Sequence, residues 1–220
     1  ILDGNVAQLF PGASLLVWTT TPWTLVSNTA VAVSPTATYV VARHGEQLLV
    51  VAEDLLGSTL GDDAEVLHRL AGTDLEGAHY RPPFALVDIP EAHYVLLGDF
   101  VTTSDGSGIV HLAPAFGADD LAVCRGYNLP VVNPVQADGH FEADVPLVGG
   151  QFFKHADEDL VADLAERGLL FKRMPYEHAY PHCWRCREPL IYMAVSSWFV
   201  EVTRFKDRMV ELNQGITWAP

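Results

Sequence analysis

The sequence predicts a β-rich mixed α/β fold: a compact, β-barrel-like core with helices at its periphery. Three observations carry this expectation. Through residues 1–150, short runs of β-branched, aliphatic and aromatic residues, punctuated by Gly, Pro, Asn and Asp, outnumber segments with helical periodicity. Helical and extended segments alternate too irregularly for a doubly wound parallel sheet. With 220 residues, 49% of them hydrophobic, the chain can bury a substantial core and is not of disordered composition.

Taken in order, the chain opens at Ile1 without an initiator Met or a targeting signal, which reads as an excised fragment, and runs through FPG to Gly12. Residues 15–18, Leu-Leu-Val-Trp, read as a strand that ends in three threonines, Thr19, Thr20 and Thr21. Pro22 then removes a backbone donor and disfavours helix at Thr21. Past it, residues 23–28 interleave apolar bodies with hydroxyls and one amide, a mixture suited to a small polar ligand, although threonines also serve plain sheet. Residues 30–33, 39–43, 47–51 and 66–70 read as further strands, with Ser34 and Pro35 at a turn and one or two helical turns over 53–60. Two glycines and two prolines make 72–83 irregular, and 94–101 returns to strand.

A tight turn, Ser104-Asp-Gly-Ser-Gly108, precedes a strand at 109–111, which Pro114 ends. Residues 118–125 follow as a helix, with Asp119 and Asp120 in the first turn where the dipole favours negative charge. Asp138 and Gly139 mark a hairpin between Val135 and Phe141. The clearest helix is 157–167, with Leu160 and Leu164 one turn apart and Gly168 placed to stop it. Residues 171–202 are rich in aromatics, proline and cysteine, and a last helix from Thr203 puts Phe205, Met209 and Leu212 on one face.

The net charge of −15 argues superficially against a nucleic-acid partner. Its distribution is uneven: residues 1–150 hold 4 Lys and Arg against 18 Asp and Glu, whereas 151–220 hold 9 against 10. A domain that receives only the end of a nucleic acid need not be basic overall, but weak binding in isolation is expected. No apolar run reaches membrane-spanning length, so no membrane partner is expected. Three unevenly spaced cysteines are no disulfide framework and fit a reducing, cytoplasmic location.

Two motifs carry the chemistry: WTTTPWTLVSNTAVAV from Trp18, and GSGIVHLAPAFGADD from Gly106 to Asp120. Together they resemble the editing domain of isoleucyl-tRNA synthetase, the insertion that hydrolyses wrongly charged tRNA. The related valyl and leucyl enzymes usually carry TTRP in the first motif; Thr21, Trp23 and Asn28 point to the isoleucyl branch. The resemblance implies an editing domain over residues 1–170, its core at about 10–160, and over 171–220 a junction returning toward the synthetase body. It implies the same β-rich core, hydrolysis of Val-tRNA(Ile) after transfer, and as partners the valine-bearing 3′ end of tRNA(Ile) and the rest of the synthetase. Neither HIGH nor KMSKS occurs, so ATP binding and aminoacylation are expected only of a full-length enzyme.

By the same resemblance Asp120 grips the α-ammonium of the aminoacyl group, a task for a carboxylate in a partly dry site. Asp119 is its rival, more suited to solvent or a helix cap. His111 shapes the pocket against the larger isoleucyl side chain; general-base catalysis is its alternative role. Thr20, Thr21 and Asn28 position the terminal adenosine, the ester and the attacking water, while Thr19 and Thr24 are wall residues. Trp23 is either core or a cover for the pocket. An aminoacyl ester is already activated, so placing water and stabilising the oxyanion suffice, with help from a free ribose hydroxyl. No nucleophilic triad is present, Cys124 reads as core, and editing requires no cofactor.

Cys183-Trp-Arg-Cys186 is a CxxC, in reducing conditions half a zinc site more than a disulfide. His178 and His182 are near in sequence. The resemblance is to YPHCWRC segments whose zinc is completed by a second cysteine pair elsewhere in the full synthetase, a pair this sequence lacks. Two rival functions remain: valyl-type editing of a threonyl ester, disfavoured by Trp23 and Asn28, and a non-catalytic, zinc-binding RNA module built on Cys183 and Cys186.

Overall fold

The structure, a computed structural model, describes residues 5–177 and 179–218. Among them are seven strands: β1 (Ser14–Leu15), β2 (Ala30–Val33), β3 (Thr38–His44), β4 (Gln47–Ala52), β5 (Glu65–Ala71), β6 (Val95–Leu97) and β7 (Ile109–Leu112). Six helices accompany them: α1 (Asn5–Leu9), α2 (Leu56–Leu60), α3 (Gly72–Leu75), α4 (Ala118–Gly126), α5 (Ala156–Glu166) and α6 (Lys206–Gln214). Short 3-10 turns occupy Pro22–Ser27, Glu53–Leu55 and Val202–Arg204.

The strands form two mixed sheets rather than a closed barrel, so the β-rich mixed α/β class stands while closure does not occur. One sheet has the order β1-β4-β3-β5, with β1 parallel to β4 and the other pairs antiparallel. Its centre is the β3–β4 hairpin, turned by Gly45 at φ +59° and Glu46, a two-residue connection with glycine where a positive φ is needed. Val40, Val41 and Ala42 are fully buried and face Val51, Val50 and Leu49. An unbroken buried run, rather than strict alternation, means that both faces of this hairpin are covered. The second sheet has the order β6-β2-β7, with β2 parallel to β6 and antiparallel to β7.

Tyr39 on β3 links the sheets. Its hydroxyl donates to Gly108 O at 2.7 Å, just before β7, and accepts Ser34 N–H at 2.8 Å, just after β2. Beside it, Ala52 N–H donates to Ser107 O at 2.9 Å. Gly108 combines φ +73° with a position where a Cβ would lie 2.4 Å from that of Ala52, so both conformation and space demand glycine. The Gly-Ser-Gly of the second motif is thus a clasp between sheets.

Several elements differ from the sequence expectation. The strand expected over 15–18 is regular only at Ser14–Leu15, and Trp18 instead makes an isolated parallel bridge to Val110. The strand expected over 94–101 is only β6, and the irregular 72–83 contains the single turn α3. The hairpin at Val135 and Phe141 is present as a bridge, with Gly139 at φ +85°. Helix α5 ends as expected: Gly168 takes φ +68°, and Leu169 N–H returns to Leu164 O at 2.8 Å. Helix α6 does form, but Phe205, Met209 and Leu212 on it or at its cap are 42%, 50% and 54% exposed, so their apolar face meets no core among the described residues.

Candidate active site

The two motifs meet along β2 and β7. Trp18 bridges Val110, Ala30 pairs with Leu112, and Thr29 N–H donates to Leu112 O at 2.9 Å. Between those points, Pro22–Ser27 coils into a 3-10 helix with Pro22 at its first turn, where a missing N–H costs nothing. That coil turns Trp23, Thr24, Leu25, Val26 and Ser27 inward.

The threonines form a connected rim. Thr19 Oγ1 accepts Thr21 N–H at 3.1 Å and lies 3.3 Å from Thr21 Oγ1. Thr21 Oγ1 lies 3.1 Å from Thr24 Oγ1, and Thr24 donates to Thr21 O at 2.8 Å. Thr19, Thr20 and Thr21 are half-buried.

His111 anchors this rim from below. Nε2 lies 3.0 Å from Thr24 Oγ1 and Nδ1 lies 2.8 Å from Asn28 Nδ2. Both ring nitrogens are engaged, and burial lowers the imidazole pKa to about 4, so the ring is neutral at neutral pH. A neutral ring with both nitrogens occupied organises its neighbours and is poorly placed to take a proton from water. Asn28 is 2% exposed and joins the same core: its Nδ2 donates to Ala30 O at 3.0 Å and its Oδ1 accepts the Tyr80 hydroxyl at 2.6 Å. Its amide therefore supports the rim and does not line it.

Asp120 reaches back from the first turn of α4. Its Oδ2 accepts Ala113 N–H at 2.8 Å, two residues beyond His111. Burial raises its pKa, countered by the Ala113 N–H and by its own, with Asp119 adding repulsion. Gly117 makes room: a Cβ there would sit 2.6 Å from Asp120 Cγ. Asp119 is exposed, as befits the solvated member of the pair.

Trp23 is 4% exposed and packs edge-on against Phe116 and Phe153, each at 4.7 Å between ring centroids, so it is core between the motifs and α5 rather than a cover. Its backbone N–H donates to Asp157 Oδ1 at 2.8 Å, a cap supplied by a distant helix. Tyr80, Gly117 and Asp157 were not legible as site residues; each contributes through tertiary contact alone. Cys124 is buried, its thiol pushed up to about 12 by burial and then by Asp120, consistent with core.

Cys183 and Cys186 form a separate knuckle, with Arg187 N–H donating to Cys183 O and Cys183 N–H to Glu188 O, both at 2.8 Å. Backbone N–H groups of Cys186 and Arg185 hold the Cys183 thiol below its ordinary pKa, which suits a thiolate ligand. His182 Nδ1 lies 2.9 Å from Tyr180 O, and His178 is outside the described residues. No group of three potential metal ligands gathers among the described residues.

No protein-family model matches the sequence. In fold, the chain is similar to the crystal structure of GlLeuRS-CP1, with a TM-score of 0.59 at 18% identity over 74% of this chain and 84% of that one. It is also similar to the editing domain of the P. falciparum cytosolic leucyl-tRNA synthetase, with a TM-score of 0.51 at 12% identity over 74% and 80%. The fold is therefore that of an aminoacyl-tRNA synthetase editing domain. Sequence makes the branch specific: all of this chain is 60% identical to 22% of the isoleucine–tRNA ligase of Streptomyces coelicolor. Relatives in Thermobifida fusca and Mycobacterium tuberculosis are 59% and 52% identical over 94% and 100% of this chain. The chain thus matches isoleucine–tRNA ligases along all or nearly all of its length and spans about a fifth of the length of these relatives.

Proposed function

We propose that the chain hydrolyses the ester of valine mischarged onto tRNA(Ile). The observation that carries this reading is the hydroxyl rim of Thr19, Thr21 and Thr24 tied to neutral His111, on the strand that leads to the half-buried carboxylate of Asp120.

The need for such a site is energetic. A missing methylene in an apolar pocket is worth about 1–3 kcal/mol, and isoleucine against valine is the standard illustration of that limit. A second site that excludes isoleucine by bulk and cleaves the smaller ester supplies the rest. On this reading Asp120 binds the α-ammonium through the carboxylate oxygen not spent on Ala113. Thr20 and Thr21 hold the ester and the attacking water, Thr19 and Thr24 complete the wall, and Asn28 and His111 set their orientation. Substrate binding then places water against an ester that is already activated, which requires no strong base. Residues 1–170 form the editing domain and 171–220 the return toward the synthetase body, with work in the cytoplasm on the 3′ end of tRNA(Ile).

The test is deacylation of Val-tRNA(Ile) and Ile-tRNA(Ile) by the chain. Preferential loss of the valyl ester is expected, abolished in Asp120→Ala and strongly slowed in Thr21→Ala. Equal cleavage of both esters, or an Asp120→Ala variant with wild-type rates, would sink the reading.

A further inference from the structure

Tyr80 lies outside both motifs, in the irregular run between α3 and β6, and is buried. Its main chain is pinned there, with Tyr80 N–H donating to His93 O at 2.9 Å. Its hydroxyl lies 2.6 Å from Asn28 Oδ1 and is the donor, because an amide oxygen only accepts. The other side of the amide is fixed as firmly: Nδ2 lies 3.0 Å from Ala30 O, a carbonyl that would repel the amide oxygen. With the amide so oriented, the remaining Nδ2 proton meets His111 Nδ1 at 2.8 Å. Nδ1 therefore carries a lone pair, and the single proton of the neutral ring sits on Nε2.

That choice propagates outward. Nε2–H donates to Thr24 Oγ1 at 3.0 Å. The Thr24 proton is committed to Thr21 O at 2.8 Å, so Thr21 is the donor in its 3.1 Å bond to Thr24. Thr21 Oγ1 is left with lone pairs only, one of them toward Thr19 Oγ1 at 3.3 Å. Each bond from Tyr80 to the rim thus has one permitted polarity.

We propose that Tyr80 is a positioning residue of the hydrolytic site: by fixing the Asn28 amide it holds His111 in the Nε2-protonated tautomer, and so presents Thr21 Oγ1 as a hydrogen-bond acceptor for the attacking water. This rests on the function proposed above. A water that donates one proton to Thr21 keeps both lone pairs free and gains electron density on its oxygen, whereas a Thr21 that donated to the water would take up one of the two and draw density away from the attacking oxygen.

Side-chain nitrogen NMR of the 220-residue chain reads the His111 tautomer directly, with assignment by loss of the signals in His111→Gln. A single Nε2-protonated tautomer is expected in the wild type. In Tyr80→Phe a detectable share of the Nδ1-protonated form is expected, with kcat for Val-tRNA(Ile) deacylation lowered roughly three- to tenfold, the worth of one hydrogen bond, and KM unchanged. Asn28→Asp, which offers Nδ1 no donor, should move the proton to Nδ1 altogether. An Nδ1-protonated ring in the wild type overturns the proposal, as does an unchanged tautomer or an unchanged kcat in Tyr80→Phe. Should Tyr80→Phe fail to fold, the wild-type and Asn28→Asp spectra decide. A wild-type chain that leaves Val-tRNA(Ile) intact would overturn the proposed activity, while the spectra would still judge the Tyr80 lock.

Discussion

At the scale of single residues, the site depends on two glycines and one histidine whose constraints are distinct. Gly117 has an ordinary φ of −135°, so alanine there meets no backbone strain; the atoms its Cβ would crowd first are those of the Asp120 carboxylate. Gly117→Ala should therefore weaken binding of the aminoacyl ester by about tenfold or more, the usual cost of moving a binding group by an ångström or so. Thermal unfolding should shift little, and steady-state deacylation kinetics beside a melting curve separate the two effects. Gly108 is the opposite case, where strain and collision coincide. His111 sets a pH dependence. Its pKa is lowered from an ordinary 6.5 to about 4 by burial, so the unfolded chain takes up a proton before the native chain does. Its contribution is complete above about pH 6.5 and is lost progressively as pH falls to about 4, on the order of 3 kcal/mol in all. Half-buried His93 is lowered as well and adds in the same direction. Urea unfolding at pH 7.5 and pH 5 should show this loss, and His111→Gln should flatten it.

At the scale of elements, the 3-10 helix Pro22–Ser27 is the piece on which the first motif turns. Its N-terminal N–H at Trp23 finds no local cap and takes Asp157 instead. Burial raises the Asp157 pKa against the lowering effect of that N–H, so the carboxylate is held there at some cost. Asp157→Ala should destabilise the chain by about 1 kcal/mol, the typical worth of a cap. It should also slow deacylation by loosening the rim. Asp157→Asn retains an oxygen acceptor and should recover most of both losses, as denaturant melts and rates would show. Neither Asp157 nor its partner announces this role in sequence, because 134 residues separate them.

At the scale of the whole molecule, two sheets carry one motif face between them, and Tyr39 is the bolt. Removing its hydroxyl leaves buried Ser34 N–H without its acceptor and Gly108 O without its donor. Tyr39→Phe is expected to cost about 1–3 kcal/mol, the penalty for a buried polar group left unpaired. Editing should persist in the cold and fail earlier on heating than in the wild type. Beyond the sheets, residues 195–218 are exposed throughout, with Trp198 and Phe199 at 101% and 90%. No described helix is long and apolar enough to cross a membrane.

The sequence by itself determined the β-rich class, the clearest helix, the two motifs and the branch to which they belong. These are local properties: β-branched runs, proline and glycine punctuation, and contiguous motif residues such as Thr19 to Asn28. Only the tertiary structure decided that Trp23 is core, that Asn28 faces inward and that His111 is a neutral brace. It also placed Tyr80 against Asn28, Gly117 against Asp120 and Asp157 against the Trp23 N–H. Each of those outcomes depends on which partner lies across a gap of tens of residues, and on how much water the packing removes. Burial sets the charge of His111 and Asp120, and burial belongs to the assembled fold rather than to any stretch of chain.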